Sequence, residues 1–440
     1  MAAIAKRDWA AREAYIADPD TVRAVLRDGR FSPGGFTAYL DGLAARGMPL
    51  AHLQAMARHS FIFLSGRRHL ALRRSVAPFL SAAAIAAQQP LLEAAVADAL
   101  QRLAAAEDPD LVRDFVEPAF LKVVRAVIGL AGGEDVAVLD AVRIANGATE
   151  PLLPLGELRR IDKAMGTLSN HLSHGPPPAG SLLAGLAPQS APLDPLGGPV
   201  NTALSALIAA YTMAQTLAFV LEGLLSGPLD AWADAAAPDW ADRHLERNLS
   251  LYFATLTLAR VSETAADVGG CPVAARRTVV LDMVRANEAL RRRSPQAPAH
   301  LSFGAGVHKC PGEALARAFL ATAVPRLAAR YPRLTLQRDS VRHRLTSIVQ
   351  FPDRLPAVLE TVDRRLSRRL VAVRNPETAR QIVNNDGVFA PPPMARHLEA
   401  LQTARSDLNL STALKIARNA PFLISGPRHA EIRRLVSSVL

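Results

Sequence analysis

The sequence predicts a mostly α protein with a minor β component. Apolar residues three and four positions apart recur along most of the 440 residues, as in amphipathic helices. Strand patterns are few and short, as at 277–281 and 333–336. Half of the residues are hydrophobic and 21% are charged. This composition supplies apolar material for one large domain or two ordinary ones, and it excludes a disordered chain, a coiled coil and a disulfide-stapled miniprotein.

Three helices are predicted from their end signals and periodicity. Asp18-Pro19 starts a helix over 21–27, apolar periodicity marks 89–105, and Pro311 followed by Glu313 starts a helix over 313–329. A fourth apolar stretch, 203–225, is long enough to span a membrane. It contains polar residues along its length and has no flanking Lys/Arg bias, so we interpret it as a buried central helix of a large soluble protein.

Residues 175–199 are rich in proline and glycine. Such a segment is typical of an interdomain linker or of a surface loop. Because leucines recur within it, we favour a loop with a short helix packed on the protein body.

Charge and composition bear on partners and compartment. Lys and Arg number 51 against 40 Asp and Glu, a net charge of +11. The arginines are scattered along helices and aromatics make up only 5%, which argues against nucleic-acid binding. A basic face for an acidic partner protein is the better interpretation. With no signal peptide and two cysteines, Cys271 and Cys310, we expect a cytoplasmic protein without a disulfide framework or zinc site.

Two blocks of the sequence recur near its end. SGRRHLALRRSVAPFL (65–80) returns as SGPRHAEIRRLVSSVL (425–440), and 18–31 resembles 375–389 with one residue inserted. We interpret these as a duplicated unit with an incomplete second copy, which gives domains 1–362 and 363–440. His429 and Arg433 of the second copy correspond to His69 and Arg73 of the first.

The segment HLSFGAGVHKCPGEALARAFL (300–320) carries the most chemical information. Glycines surround Cys310, which lies just before a helix start, where the helix dipole favours a thiolate. From the residues alone three interpretations stay open: a buried structural cysteine, an exposed catalytic cysteine, and a thiolate ligand of a metal such as iron.

The spacing of this segment resembles the haem-binding loop of the cytochrome P-450 superfamily. The matching positions are Phe303, Gly304, Gly306, His308, Cys310 and Gly312. The resemblance implies a cytochrome P-450-like fold, with haem b between the central helix and the cysteine loop. It also implies that Cys310 is the axial thiolate ligand of the iron, that Phe303 shields the sulfur and that His308 contacts a haem propionate. Thiolate ligation favours O–O cleavage in these enzymes.

The resemblance extends over nearly all of 1–362. LSGRRHLALRRSVAPFLS is similar to the helix of this family that contacts the haem propionates, which implies such roles for His69 and Arg73. LTLARV is similar to the strand that supplies a further propionate ligand, which implies this role for Arg260.

Two signatures of the superfamily are missing. The acid–alcohol pair of the central helix aligns with Tyr211-Thr212, or in a shifted register with Gln215-Thr216, so that the alcohol is present and the acid is not. Tyr211 and Thr212 are nevertheless the candidate catalytic residues of this helix. The Glu-x-x-Arg motif aligns with 247–250, Arg-Asn-Leu-Ser, and the loop that it normally locks is shortened over 286–298.

The resemblance implies a haem-thiolate monooxygenase that oxidises a small apolar or amphipathic molecule, in secondary metabolism. Its electrons come from NAD(P)H through a reductase and a separate ferredoxin, because the chain has no dinucleotide fingerprint. The alternative is a non-catalytic P-450-like helper or scaffold for a partner enzyme. The region 152–199 is where we expect substrate specificity to lie.

Overall fold

Most of the residues that the structure describes lie in helices. This computed structural model describes residues 14–359, apart from 131, 133, 151–152, 188–192 and 296–298, and also 394–404, 409–419, 431 and 434. The chain divides into two compact units, Met1–Thr361 and Val362–Leu440. The predicted fold class, mostly α with a minor β component, is confirmed.

The first unit contains fifteen α-helices among its described residues. In chain order they are α1 (Pro19–Arg27), α2 (Phe36–Ala45), α3 (Ala51–Arg58), α4 (Gly66–Leu80), α5 (Ala82–Ala87), α6 (Gln89–Ala105), α7 (Glu117–Ile128), α8 (Asp135–Asn146), α9 (Leu155–Ser173), α10 (Leu182–Leu186), α11 (Gly198–Ser226), α12 (Leu229–Asp234), α13 (Trp240–Leu251), α14 (Met283–Arg293) and α15 (Glu313–Arg330). A π-helical segment, Leu111–Val116, leads into α7.

The strands form one larger sheet and three strand pairs within the described residues. They are β1 (Ala14–Ile16), β2 (Phe31–Ser32), β3 (Thr257–Ser262), β4 (Ala266–Val268), β5 (Cys271–Val273), β6 (Thr278–Asp282), β7 (Thr335–Leu336), β8 (Arg342–Leu345), β9 (Gln350–Arg354) and β10 (Ala357–Val358). The sheet order is β1-β6-β3-β2, in which β1 and β6 are parallel and the other neighbours antiparallel. The pairs β4–β5, β7–β10 and β8–β9 are antiparallel.

The helices predicted from end signals are found near their predicted bounds. Helix α6 has the predicted bounds, and α15 extends one residue further, to Arg330. Helix α1 begins two residues earlier, at Pro19, because the Asp18 carboxylate caps it by accepting a hydrogen bond from the Thr21 amide at 2.8 Å. The proline- and glycine-rich loop contains the expected short helix, α10, whose Leu182 and Leu183 are buried.

Helix α11 is the central helix of the first unit. It contacts α3, α7, α8, α9 and α15 among others. Within the part of the chain that the structure describes, two segments are long and apolar enough to cross a membrane by length and composition, Gly198–Ser226 and Gly66–Ala87. Their most apolar windows are 72% and 11% buried inside the protein. The burial of α11 supports its interpretation as a core helix, because a helix that is apolar on every side needs protein around it.

The described residues of the second unit include two helices. They are α16 (Met394–Ala404) and α17 (Ser411–Asn419), and an ion pair joins Arg418 to Glu399. Leu414 and Ala417 are buried. His429 and Arg433 lie outside the described residues, so their correspondence to His69 and Arg73 stays a prediction.

Candidate functional site

The cysteine loop, residues 301–312, closes on itself through backbone hydrogen bonds. The Cys310 amide donates to the Phe303 carbonyl at 2.9 Å, and the Gly304 amide donates to the Leu301 carbonyl at 2.7 Å. A 3₁₀ turn, Gly306–His308, lies between them. The Cys310 side chain is therefore held beside the backbone of Phe303, just ahead of α15.

The three glycines of the loop differ in what requires them. Gly304 and Gly306 both have φ of +70°, a conformation that L side chains rarely adopt. A Cβ at Gly306 would lie 2.2 Å from the Leu26 carbonyl oxygen at the end of α1, whereas a Cβ at Gly304 would meet nothing within 4 Å. At Gly312 a Cβ would make ordinary contact, 3.9 Å from the Cys310 sulfur. Only Gly306 is fixed both by its backbone angle and by a close neighbour.

Two histidines from distant parts of the chain stack next to this loop. His69 of α4 and His308 have ring centroids 3.9 Å apart, with 28° between the ring planes. His69 is buried, and neither of its ring nitrogens has a hydrogen-bond partner in the described part of the chain. Burial, together with the positive charges of neighbouring side chains, lowers the pKa of His308 to about 3 and also lowers the pKa of His69. Both imidazoles are therefore neutral at neutral pH.

Two arginines complete the cluster, and neither has a carboxylate partner among the described residues. Arg73 lies one turn beyond His69 on α4 and is half-buried. Arg260 lies on β3 and is 9% exposed, and its guanidinium donates to the carbonyl of Ala259 at 2.8 Å. Burial lowers the pKa of Arg260 to about 10. Buried cations are normally paired, so this cluster is short of negative charge.

Two opposing effects act on the pKa of Cys310. The Gly312 amide at the helix start lowers this pKa, in the direction that the sequence predicts. Burial has the larger effect and raises the pKa to about 11. A thiolate at this position needs a bound metal cation, which deprotonates a coordinating thiol outright.

These observations test whether the residues fit a haem. A haem brings a metal to the sulfur and two carboxylates to the cations. The cluster offers one free thiol, two arginines without a carboxylate and a buried imidazole with both nitrogens unpartnered, all around one loop. The described residues contain no group of three or more His, Cys, Asp or Glu side chains for a bare metal ion. The donor set therefore fits an anionic cofactor that carries its own metal.

The candidate catalytic residues of α11 point in different directions. The Tyr211 hydroxyl donates to Glu117 Oε1 of α7 at 2.7 Å, and its ring packs edge-on against Phe120 and Phe351. Its described contacts are thus with α7 and β9, and its predicted catalytic role has no support in them. The Thr212 hydroxyl donates to the Ala209 carbonyl at 2.8 Å.

A partly accessible stripe runs along α11. It consists of Ala209, Thr212, Thr216, Phe219 and Gly223, which are three or four residues apart and so share one helix face. Both threonines of the two alternative registers lie on it, whereas Tyr211 and Gln215 are buried on another face. Gln215 donates to Asn146 of α8 at 3.1 Å.

Two residues near the cysteine loop make contacts that the sequence does not predict, although Arg317 follows the loop motif in the sequence. Arg317 of α15 lies over the Phe303 ring, 5.0 Å from its centroid, and pairs with Glu313 and Glu246. Asn287 of α14 bonds the loop directly. The signal for Asn287 was present, because it occupies a core-facing position of α14 between Met283 and Leu290, where an apolar residue is expected.

In a comparison with known proteins, no family model matches this chain. Cytochrome P450 105C1 from Streptomyces sp is 34% identical over 131 residues, which cover 28% of this chain and 34% of that protein, so the match spans about a third of this curated relative. The crystal structure of P450BioI in complex with hexadec-9Z-enoic acid ligated acyl carrier protein has a TM-score of 0.68 at 20% identity, covering 79% of this chain and 92% of that chain. The crystal structure of HinD with NMFT and NO has a TM-score of 0.62 at 26% identity, covering 78% and 89%.

Proposed function

We propose that this chain, whose resemblance to the cytochrome P-450 superfamily the comparisons confirm and which has that fold, is a haem-thiolate oxidoreductase of the monooxygenase type. The observation that carries the proposal is the shortage of negative charge around Cys310. Arg73 and Arg260 have no carboxylate and His69 has no hydrogen-bond partner within the described residues. A cofactor with two carboxylates and an iron satisfies all of them together.

Each residue of the cluster then has a defined task. Cys310 would bind the iron, and Phe303, whose carbonyl accepts from the Cys310 amide, lies next to it in the loop. Arg73 and Arg260 would bind the two propionates as charge-assisted hydrogen-bond donors, with His69 and His308 as neutral donors. A thiolate-ligated haem, when bound, supplies the oxidation of an organic substrate by dioxygen. Gly304 and Gly306 give the loop its positive-φ backbone, and Gly306 also leaves room for the Leu26 carbonyl of α1.

Thr212 and Thr216 are the candidates for holding a proton near the reacting centre, because both hydroxyls lie on the accessible stripe of α11. Thr212 already donates to Ala209, so its oxygen is oriented to accept a further hydrogen bond. The acidic residue of α11 is Glu222, and it pairs with His343 instead. Proton transfer by Thr212 or Thr216 therefore has no neighbouring carboxylate on this stripe. Such a site favours an unusual oxidation or a haem-dependent rearrangement without dioxygen.

The substrate class and the electron donor are proposed from the resemblance to the superfamily, and the charge of the chain supports the donor. We propose a small apolar or amphipathic substrate in secondary metabolism, with α9 and α10 in the region that selects it. Electrons come from NAD(P)H through a separate ferredoxin in the cytoplasm, and the net charge of +11 favours docking of an acidic protein. One protein of this fold was solved in complex with an acyl carrier protein ligated to hexadec-9Z-enoic acid.

A non-catalytic helper is the second candidate. It is favoured by one observation: Tyr211, at the position of the missing acid, is held in a buried bond to Glu117 and away from the stripe. A helper keeps its fold without needing proton delivery. The intact cysteine loop favours the enzyme.

The absorption spectrum of the reduced full-length protein with carbon monoxide tests the proposal. After expression with ample haem, we expect the red-shifted Soret band of a thiolate-ligated haem. Cys310→Ala removes the sulfur and is expected to abolish the band. Cys271→Ala is the matched control, because Cys271 is the other cysteine, is exposed and lies on the β4–β5 hairpin; its band should be unchanged.

Two outcomes contradict the proposal. Purification of the folded wild-type protein without haem argues for the helper. A red-shifted band that persists in Cys310→Ala assigns the ligand to another residue.

A further inference from the structure

The last carbonyls of α13 are hydrogen-bonded by groups from outside the helix. The final four carbonyls of any α-helix lack partners within the helix. In α13 the Tyr252 amide donates to Asn248, the Ser302 hydroxyl donates to the Leu249 carbonyl at 2.7 Å, and the Arg291 guanidinium donates to the Ser250 carbonyl. Two of these donors come from the cysteine loop and from α14. The end of α13 is thus hydrogen-bonded to both the cysteine loop and α14.

Asn287 connects the same loop to α14. It is fully buried, its Oδ1 accepts from the Leu301 amide at 2.7 Å, and its Nδ2 donates to the Ser302 hydroxyl at 2.9 Å. The Ser302 hydroxyl therefore accepts from Asn287 and donates to Leu249. A continuous chain of hydrogen bonds connects α14 through the first residues of the loop to α13. Both Oδ1 and Nδ2 of Asn287 have a partner in it.

The residues at the Glu-x-x-Arg positions do not form the pair that this motif provides in the superfamily. Arg247 donates to the Pro295 carbonyl at 3.4 Å, and the Ser250 hydroxyl donates back to Arg247 within α13 at 2.7 Å. Neither side chain has a described ion pair across to the loop. Among the described residues, the contact between Leu249 of α13 and the loop is made by neutral groups, while Glu246 of the same helix makes charged contacts beside the loop, with His300 and Arg317.

We propose that Asn287 and Ser302 are positioning residues that clamp the cysteine loop to the end of α13, in place of the missing Glu-x-x-Arg pair. They act through Leu301 and the loop backbone, eight or more residues ahead of Cys310, and touch neither the sulfur nor the arginine cluster in the described contacts. That the clamp exists follows from these hydrogen bonds alone. That it retains a cofactor rests on the proposed function.

Amide hydrogen exchange on the full-length protein tests the clamp without any cofactor. Asn287→Leu removes both hydrogen bonds of the Asn287 amide, and Ser302→Ala removes the bonds of the Ser302 hydroxyl to Leu249 and to Asn287. Opening of the loop start is expected to become at least about tenfold more frequent in each, since a single net hydrogen bond already corresponds to roughly that factor. Peptides covering 299–310 should exchange faster, while those from α6 and α11 stay unchanged.

Matched controls come from α13 itself. Asn248 is also buried, but its side chain donates to His244 of its own helix at 2.9 Å, and among the described residues the Ser250 hydroxyl bonds only the Arg247 carbonyl of that helix. Asn248→Leu and Ser250→Ala therefore remove the same chemical groups without breaking the chain of hydrogen bonds to the loop. Their exchange over 299–310 should equal that of the wild type. Ser302→Thr retains the hydroxyl and should restore slow exchange.

The haem-loaded protein provides a second readout. Transfer of haem to excess apomyoglobin is expected to be several-fold faster in Asn287→Leu and Ser302→Ala than in the two controls. If the protein binds no haem, the proposed function fails, and the exchange experiment still decides the clamp. Exchange over 299–310 that is unchanged in both clamp variants, or accelerated equally in the controls, overturns it. Should Asn287→Leu not fold, the comparison of Ser302→Ala with Ser302→Thr and Ser250→Ala is sufficient.

Discussion

Arg260 and Arg143 show what a residue's surroundings add to its identity. Both are arginines within regular structure, and both have substantial burial. Arg143 pairs with the buried Glu117, which raises its pKa, whereas Arg260 has a backbone carbonyl and no carboxylate, and its pKa falls to about 10. Taken alone in the sequence, each has the appearance of a solvated side chain, and the resemblance of LTLARV to a strand of the superfamily singles out Arg260. The fold adds that Arg260 has no carboxylate partner among the described residues, which supports its proposed role as a propionate ligand.

The loop glycines give a prediction at the same scale. Gly306→Ala is expected to destabilise the protein by about 2–5 kcal/mol, because the strain of a positive φ adds to a Cβ forced against the Leu26 carbonyl. Gly304→Ala has the same φ but open space around its Cβ, and should cost only about 1–2 kcal/mol. Urea unfolding of both variants measures the difference. Equal losses of stability in the two variants would show that the Leu26 carbonyl of α1 moves away from the added Cβ without an energetic cost.

Helix α11 shows what an element's sequence predicts and what it conceals. Its apolar content indicated a long core helix, and the structure has one at Gly198–Ser226. Its pattern is apolar on nearly every face, so it could not indicate which face Tyr211 occupies. That depends on Glu117, 94 residues earlier in the chain.

The Tyr211–Glu117 bond gives a prediction with a defined pH dependence. Burial and the Glu117 carboxylate raise the pKa of Tyr211 well above its ordinary value near 10. The folded protein therefore holds this proton more tightly than the unfolded chain, and the resulting stability is present below pH 10 and lost as pH rises beyond it. Near pH 8, Tyr211→Phe should lower the free energy of unfolding by about 1.5–3 kcal/mol. The deficit should shrink above pH 10.

Urea unfolding at the two pH values measures this effect. Tyr39→Phe is the control, since Tyr39 is 50% exposed and its ring lies at the surface; its difference from the wild type should be small at both. A deficit of Tyr211→Phe that stays constant across pH 10 argues against the bond.

The other elements were likewise predictable only where the residues that define them lie close together in the sequence. Helices α6 and α15 were predicted nearly to their ends, because periodicity and a Pro-x-Glu start are local signals. The loop glycines, Cys310 and His308 also lie within ten residues of one another. Asn287 and Ser302 escaped notice, because their partners lie 14 and 53 residues away and the bonds involve backbone atoms of any residue type. No single-sequence pattern encodes such contacts.

At the scale of the whole molecule, the chain consists of two compact units of very different size. The repeat of 65–80 at 425–440, with eight of sixteen positions identical, leads us to propose that 363–440 resembles the beginning of the first unit. The cysteine loop, which includes His308, lies in the first unit, as do the three residues beside it, His69, Arg73 and Arg260. The proposed function therefore needs no residue of the second unit.

Limited proteolysis of the full chain tests this division. A unit of fewer than about 80 residues buries a smaller fraction of its surface than a large one, and is easier to open. Trypsin is expected to cut at the arginines of 363–369 and to leave the first unit as a lasting fragment, identified by its intact mass. The arginine run Arg291–Arg293 is the internal control, because it lies within α14 and should be cut more slowly. Survival of 362–440 for as long as the first unit contradicts the prediction.

The unbalanced arginines beside Cys310 have a consequence for how the site is filled. Their attraction is directed at the carboxylates of a porphyrin rather than at its metal, and the sulfur recognises the metal alone. On the proposed function, a metal-free tetrapyrrole with free acid groups keeps the electrostatic contribution to binding. An iron porphyrin esterified at both acids keeps only the contribution of the sulfur–iron bond. Recognition at this site is thus divisible into two chemically separate parts.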